Sequence, residues 1–236
     1  MKNPSRVLDI RSLIRAQDVK PTIILIVSAL LLTVDRYFGS MEFARRTFDS
    51  ASGFDAALFM FVAAFILLTL IPLAVVVFGF REPLKSYGFT LGDWRAGLFL
   101  ILVVFPIIAL ALLYPASHTG EMRAFYPVDK GAGDSLVAFL RLQIPRSALF
   151  YTAWEFFFRG FMLFGLRKYV GDWLAICIQT IPSCLWHIGM PTGEIFSSIA
   201  GGILFGYLAI RTNSIFWPFL LHCLIGIGLD FFIVMG

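Results

Sequence analysis

Charge is what this chain has least of. Of its 236 residues only 14% are Asp, Glu, Lys or Arg and 59% are hydrophobic, whereas a soluble domain carries about 25% charged residues. With a mean hydropathy of +0.85, that shortage excludes a soluble globular domain and leaves an integral membrane protein. Cysteine is scarce too. Cys177, Cys184 and Cys223 all lie in apolar runs, which excludes a disulfide framework and reads as small buried hydrophobes. No internal repeat is present, which argues against a transporter built from paired halves. The net charge of +4 calls for no nucleic-acid partner, because Lys and Arg flanking spans at a membrane surface account for it.

What the sequence does have is long apolar runs near the ~20 residues a bilayer requires. They cover roughly 21–38, 56–79, 95–115, 147–166, 173–190, 194–210 and 215–235. The expected fold is all-α, a polytopic transmembrane bundle of about seven spans. The 20 Gly and 26 Phe suit it, Gly being commoner in spanning helices than in soluble ones. Three regions follow: a basic, interfacial N-terminal segment over 1–20, N-terminal transmembrane helices and loops over 21–135, and a core over 136–236. No small-residue cleavage site follows the first run, so it reads as an uncleaved span. Residues 81–94 read as an interfacial segment and 116–135 as a loop. Residues 136–146 read as a half-helix that Pro145 ends, and Met190-Pro191-Thr192-Gly193 as a tight turn. With seven spans, eleven Lys/Arg fall on the N-terminal side and seven, Arg146 among them, on the other. That bias predicts an inside N-terminus; the expected localisation is a prokaryotic plasma membrane.

The chain is organised around Tyr151-Thr-Ala-Trp-Glu-Phe-Phe-Phe-Arg-Gly160. Glu155 and Arg159 are four residues apart and share a helix face. Each unpaired charge in a span costs about 2.5–3.5 kcal/mol on insertion scales, so an intramembrane pair is a functional hypothesis by default. Its plain alternative is a pair that only locks helix packing. His187 lies near the end of the fifth run and His222 in the seventh. Glu194 opens the sixth, where a carboxylate suits a helix N-terminus. A carboxylate or imidazole tuned by burial can take a proton from water, and a second imidazole can donate to the oxyanion on a scissile carbonyl. Zinc is the competing chemistry: Cys184 and His187 are three apart and His222 could join them. There is no His-Glu-x-x-His, however, so the reading favours no cofactor.

This arrangement resembles the CPBP intramembrane proteases, the CAAX-protease, bacteriocin-processing and abortive-infection family. The resemblance covers roughly 145–235. Glu155-Phe-Phe-Phe-Arg159-Gly160 matches the family's Glu-Glu-x-x-x-Arg motif from its second glutamate onward, and His187 matches its Phe-x-x-x-His. Gly201-Gly-Ile-Leu-Phe-Gly206, with Arg211 to His222, looks like its sixth span, turn and His-x-x-x-Asn/Asp motif. Trp154 stands at the first glutamate, Ser183 at the Phe, and Gly226 at the Asn/Asp. The family is often classed with metalloproteases, and the resemblance also supports a metal-free glutamate mechanism.

The resemblance implies a membrane endopeptidase. Glu155 and His187 would activate a water, Arg159 would orient Glu155, and His222 would stabilise the oxyanion. The expected partners are membrane lipids and a peptide or membrane-protein substrate. The alternative is a degenerate relative, a membrane scaffold that binds without cutting.

Overall fold

The computed structural model describes residues 15–49 and 51–236. The basic segment expected over 1–20 falls mostly outside them; its described end is a single turn, Ala16–Asp18, that runs into the first long helix. Among the described residues every regular element is helical. In chain order they are α1 (Val19–Phe38), α2 (Met41–Thr47), α3 (Gly53–Phe80), α4 (Trp94–Ser117), α5 (Gly120–Phe125), α6 (136–170), α7 (Asp172–Trp186), α8 (Thr192–Thr212) and α9 (Phe216–Met235).

Five are long and apolar enough to cross a membrane: α1 with its leading turn, α3, α4, α8 and α9. The other two expected spans are also helical, but α7 has only 15 residues and α6 carries Arg146, Glu155 and Arg159. Outward faces are apolar, as lipid requires: Ile26 and Leu30 of α1 and Leu102 and Leu110 of α4 are 60–71% exposed.

α6 is the axis of the bundle. From Tyr151 to Leu166 every residue except Thr152 is buried, as expected of a helix that is apolar on all sides. Phe156, Phe157, Phe158 and Phe161 are wholly buried and join Ile24 of α1, Leu68 of α3 and Ile176 of α7 in one cluster.

Pro145 does not end a half-helix. It lies inside α6 and is followed by a wide, π-wound turn over Arg146–Tyr151. The same pairing recurs: Pro72 lies between π-wound stretches in α3, and Pro106 precedes one in α4. Proline removes one backbone donor and crowds the preceding turn. Within a membrane, local π adjustment re-satisfies the freed groups at less cost than breaking the helix. The correction matters for depth, because it puts Glu155 in the middle of a helix rather than near its start.

Two devices place the later helices. Gly202-Ile-Leu-Phe-Gly206 lets α8 approach α7 closely: a Cβ at Gly202 would lie 2.7 Å from Thr180, and one at Gly206 3.1 Å from Ile176. Small residues at this spacing are the usual route to tight helix contact in membranes. The Gln179 amide seals the contact by donating to the Gly202 carbonyl at 2.9 Å. The expected interfacial segment, 81–94, is a strap across the α8–α9 turn. Asp93 N–H donates to the Thr212 carbonyl at 2.8 Å, Ile215 N–H to the Gly88 carbonyl at 3.0 Å, and the Trp217 indole to the Leu91 carbonyl at 2.8 Å. At Gly92, with φ +53°, a Cβ would lie 1.9 Å from the Thr212 carbonyl oxygen, so only glycine fits.

Candidate active site

The centre of the bundle holds Glu155, Arg159 and His222. Glu155 and Arg159 are each 1% exposed. Oε1 of Glu155 accepts from Arg159 within α6 at 3.2 Å and lies 2.6 Å from Nδ1 of His222 on α9. Oε2 is buried with no partner among the described residues. One oxygen is therefore held by two groups while the other is bare. With the carboxylate ionised, Nδ1 of His222 donates and its Nε2 is left to face outward.

His187 caps the end of α7 and is half-buried. Its Nδ1 lies 2.7 Å from the Ser183 carbonyl oxygen, which can only accept, so Nδ1 carries the proton and Nε2 is an acceptor in the neutral ring. The end of α7 is anchored to α1: the Trp186 indole donates to the buried Asp35 carboxylate at 3.0 Å, and Arg36 donates to the Ile188 carbonyl at 3.0 Å. The turn after α7 runs through His187 to Pro191, with Gly189 at φ +96°.

Trp154, where the motif has its other glutamate, stands against both histidines. Its ring meets His187 edge-on at 5.5 Å and His222 edge-on at 6.5 Å. The structure thus brings the four expected residues to one region: Glu155 touches both Arg159 and His222, and His187 meets the Trp154 ring that also meets His222.

Cys184 points elsewhere, its Sγ lying 3.8 Å from the Ile195 carbonyl. Among the described residues no group of three His, Cys, Asp or Glu side chains that could hold a metal ion is found.

Two positions are corrected. Arg146, counted above as an extramembrane cation, is 7% exposed inside α6 and donates at 2.7 Å to Asp230 of α9, which also accepts from Gln143 at 2.6 Å. Glu194 lies in the first turn of α8, as expected, but makes no capping hydrogen bond. Its Oε1 accepts from the Tyr126 hydroxyl at 2.7 Å, while Glu121 accepts from the Thr192 N–H at 2.8 Å and so serves the helix end. Burial and the negative Glu194 partner push the Tyr126 hydroxyl well above the ordinary phenol range, so it stays a donor at neutral pH. A missed neighbour is Tyr151, whose ring stacks on His222 with centroids 4.3 Å apart. Inside the Phe150-Tyr151 run it is indistinguishable in sequence from core.

No curated protein and no solved structure matches the chain. A family model does: the one described as Rce1-like, type II CAAX prenyl endopeptidase Rce1-like, matches residues 138–227. That stretch opens within α6 and closes within α9, so it contains Glu155, Arg159, His187 and His222 together. Over these residues the chain is similar to the Rce1-like type II CAAX prenyl endopeptidase family, which is the CPBP family.

Proposed function

We propose that the protein is an intramembrane endopeptidase that hydrolyses a peptide bond with a water activated by Glu155 and His187. The observation that carries this reading is the unequal treatment of the two Glu155 oxygens, Oε1 held by Arg159 and His222 and Oε2 bare in a buried site. Oε2 takes the proton of the water while Nε2 of His187 accepts its second hydrogen. The hydroxide adds to the scissile carbonyl carbon. His222, held in place through its Nδ1 bond to Glu155, stabilises the oxyanion. The proton on Glu155 then passes to the leaving amine as the C–N bond breaks. Arg159 keeps Glu155 aimed and ionised at the start. These steps use the chain's own groups, and we read the reaction as independent of metal.

The substrate is a peptide or membrane protein reaching the site from the lipid or the membrane face, in a prokaryotic plasma membrane. The description of the matched family makes a prenylated CAAX peptide the first to try. A second reading has its own observation: the Trp154 ring, at the position of the motif's other glutamate, lies edge-on to both histidines, which suits a relative that binds such peptides without cutting. Purified protein in lipid nanodiscs, given quenched-fluorescent CAAX peptides with and without the prenyl group, separates the two. Cleavage that disappears in Glu155→Gln and persists in chelator supports the peptidase; stoichiometric zinc lost together with activity overturns the metal-free mechanism. Saturable binding with no cleavage by the wild type supports the second reading.

A further inference from the structure

We infer that Tyr151 is a positioning residue for His222, and that Gly226 is glycine because the tyrosine hydroxyl occupies the space its side chain would need. Tyr151 precedes Glu155 by four residues on α6, and Gly226 follows His222 by four on α9, so each pair shares a helix face. Across the α6–α9 contact, Glu155 bonds His222 at 2.6 Å. Beside that bond the Tyr151 ring lies on the imidazole, nearly parallel at 28° and 4.3 Å. A Cβ built on Gly226 would fall 1.8 Å from the Tyr151 hydroxyl oxygen and 2.7 Å from its Cζ. Gly226 has ordinary helical backbone, so its lack of a side chain is explained by this contact and not by conformation.

The fit is built from several sides. Tyr151 is 2% exposed, and the Arg146 guanidinium, held by Asp230, lies over its ring at 5.2 Å. Phe205 meets His222 edge-on at 5.3 Å. A single hydrogen bond through Nδ1 leaves the imidazole free to swing about that bond. A ring stacked on its face removes that freedom and fixes where Nε2 points. The notch at Gly226 in turn fixes the tyrosine. The motif position that carries a polar side chain elsewhere in the family is thus empty here because a side chain from another helix stands in it. The structural part of this inference is independent of the peptidase reading, and its effect on turnover rests on that reading.

The chain has three histidines, His118, His187 and His222, so ¹⁵N-histidine labelling gives resolvable ring signals, with His118 as an internal control. In nanodiscs, Tyr151→Leu should move the His222 ring signals and leave those of His118 in place, and should lower kcat about a hundredfold at unchanged KM, the scale of a small misplacement of a reacting group. Gly226→Ala should do the same with the tyrosine still present, which also covers the case in which Tyr151→Leu does not fold. Adding Tyr151→Phe to Gly226→Ala removes the closest clash and should return His222 part of the way. Unmoved His222 signals in Tyr151→Leu or in Gly226→Ala overturn the inference. If the wild type cleaves no peptide, the His222 signals alone decide it, and the missing activity counts against the peptidase reading instead.

Discussion

The protein buries two acid–base pairs in its core, and they are built differently. Arg146 and Asp230 lie 84 residues apart and join α6 to α9. Glu155 and Arg159 are one turn apart on α6 and, by themselves, join nothing. A pair that bridges helices has an architectural use. A pair within one helix carries the desolvation cost of two charges and returns no tertiary contact, unless one member reaches further. Glu155 does so through His222. Buried charge alone is therefore a weak pointer to chemistry in this bundle; the stronger pointer is a carboxylate with one oxygen committed and one bare beside imidazoles.

Mutation of the two pairs should separate them. The largest effect is expected at Glu155→Leu, which strands Arg159 at a cost of about 3–5 kcal/mol and also ends cleavage. Glu155→Leu with Arg159→Leu should recover the unfolding midpoint and stay inactive. A stable, fully active double variant would show that Glu155 is not the base. Asp230→Leu should cost a similar ~3–5 kcal/mol, but here Asp230→Leu with Arg146→Met should recover stability and cleavage together. An inactive but stable double variant would move this pair from architecture into the reaction. Next come His187→Ala and His222→Ala, each expected to lower kcat by about 10²–10⁴ with little change in the unfolding midpoint; wild-type turnover in either removes that residue from the mechanism. The smallest effect belongs to a third pair, Glu42–Arg46, whose side chains are 73% and 75% exposed. Breaking it should change stability by only about 0.3–0.5 kcal/mol, and a loss above 1 kcal/mol would mean that exposure is a poor guide to the worth of these pairs.

The same contrast marks what could be read from sequence. Local patterns were legible. The run 215–235 is α9 at Phe216–Met235, and 194–210 is α8 at Thr192–Thr212, because span length and apolarity are properties of contiguous residues. The Glu155–Arg159 part of the motif is legible for a like reason, both lying on one turn, whereas His222, 67 residues from Glu155, joins them only in the fold. Pro145 misled, because the rule for soluble helices ignores the π-wound escape open to a buried helix. Arg146 reads from sequence as an extramembrane cation, since its partner is far along the chain and nothing at 146 announces it. Tyr151 and Gly226 explain each other only when α6 and α9 are in contact. Glu194 lies in the first turn of α8, where helix ends attract carboxylates, yet the hydrogen bond to that end comes from Glu121 of the distant α5.

The distance in sequence between α6 and α9 also has a consequence for how the protein is made. Asp230 and His222, which complete Arg146 and Glu155, belong to a helix that leaves the ribosome well after α6. Until then α6 must enter the membrane with Arg146 lacking its carboxylate and Glu155 lacking its imidazole, and only the one-turn contact to Arg159 is available from the outset. Arrival of α9 ends that exposure at two places at once, so a nascent chain stalled before residue 222 leaves Arg146 without its carboxylate and Glu155 without its imidazole.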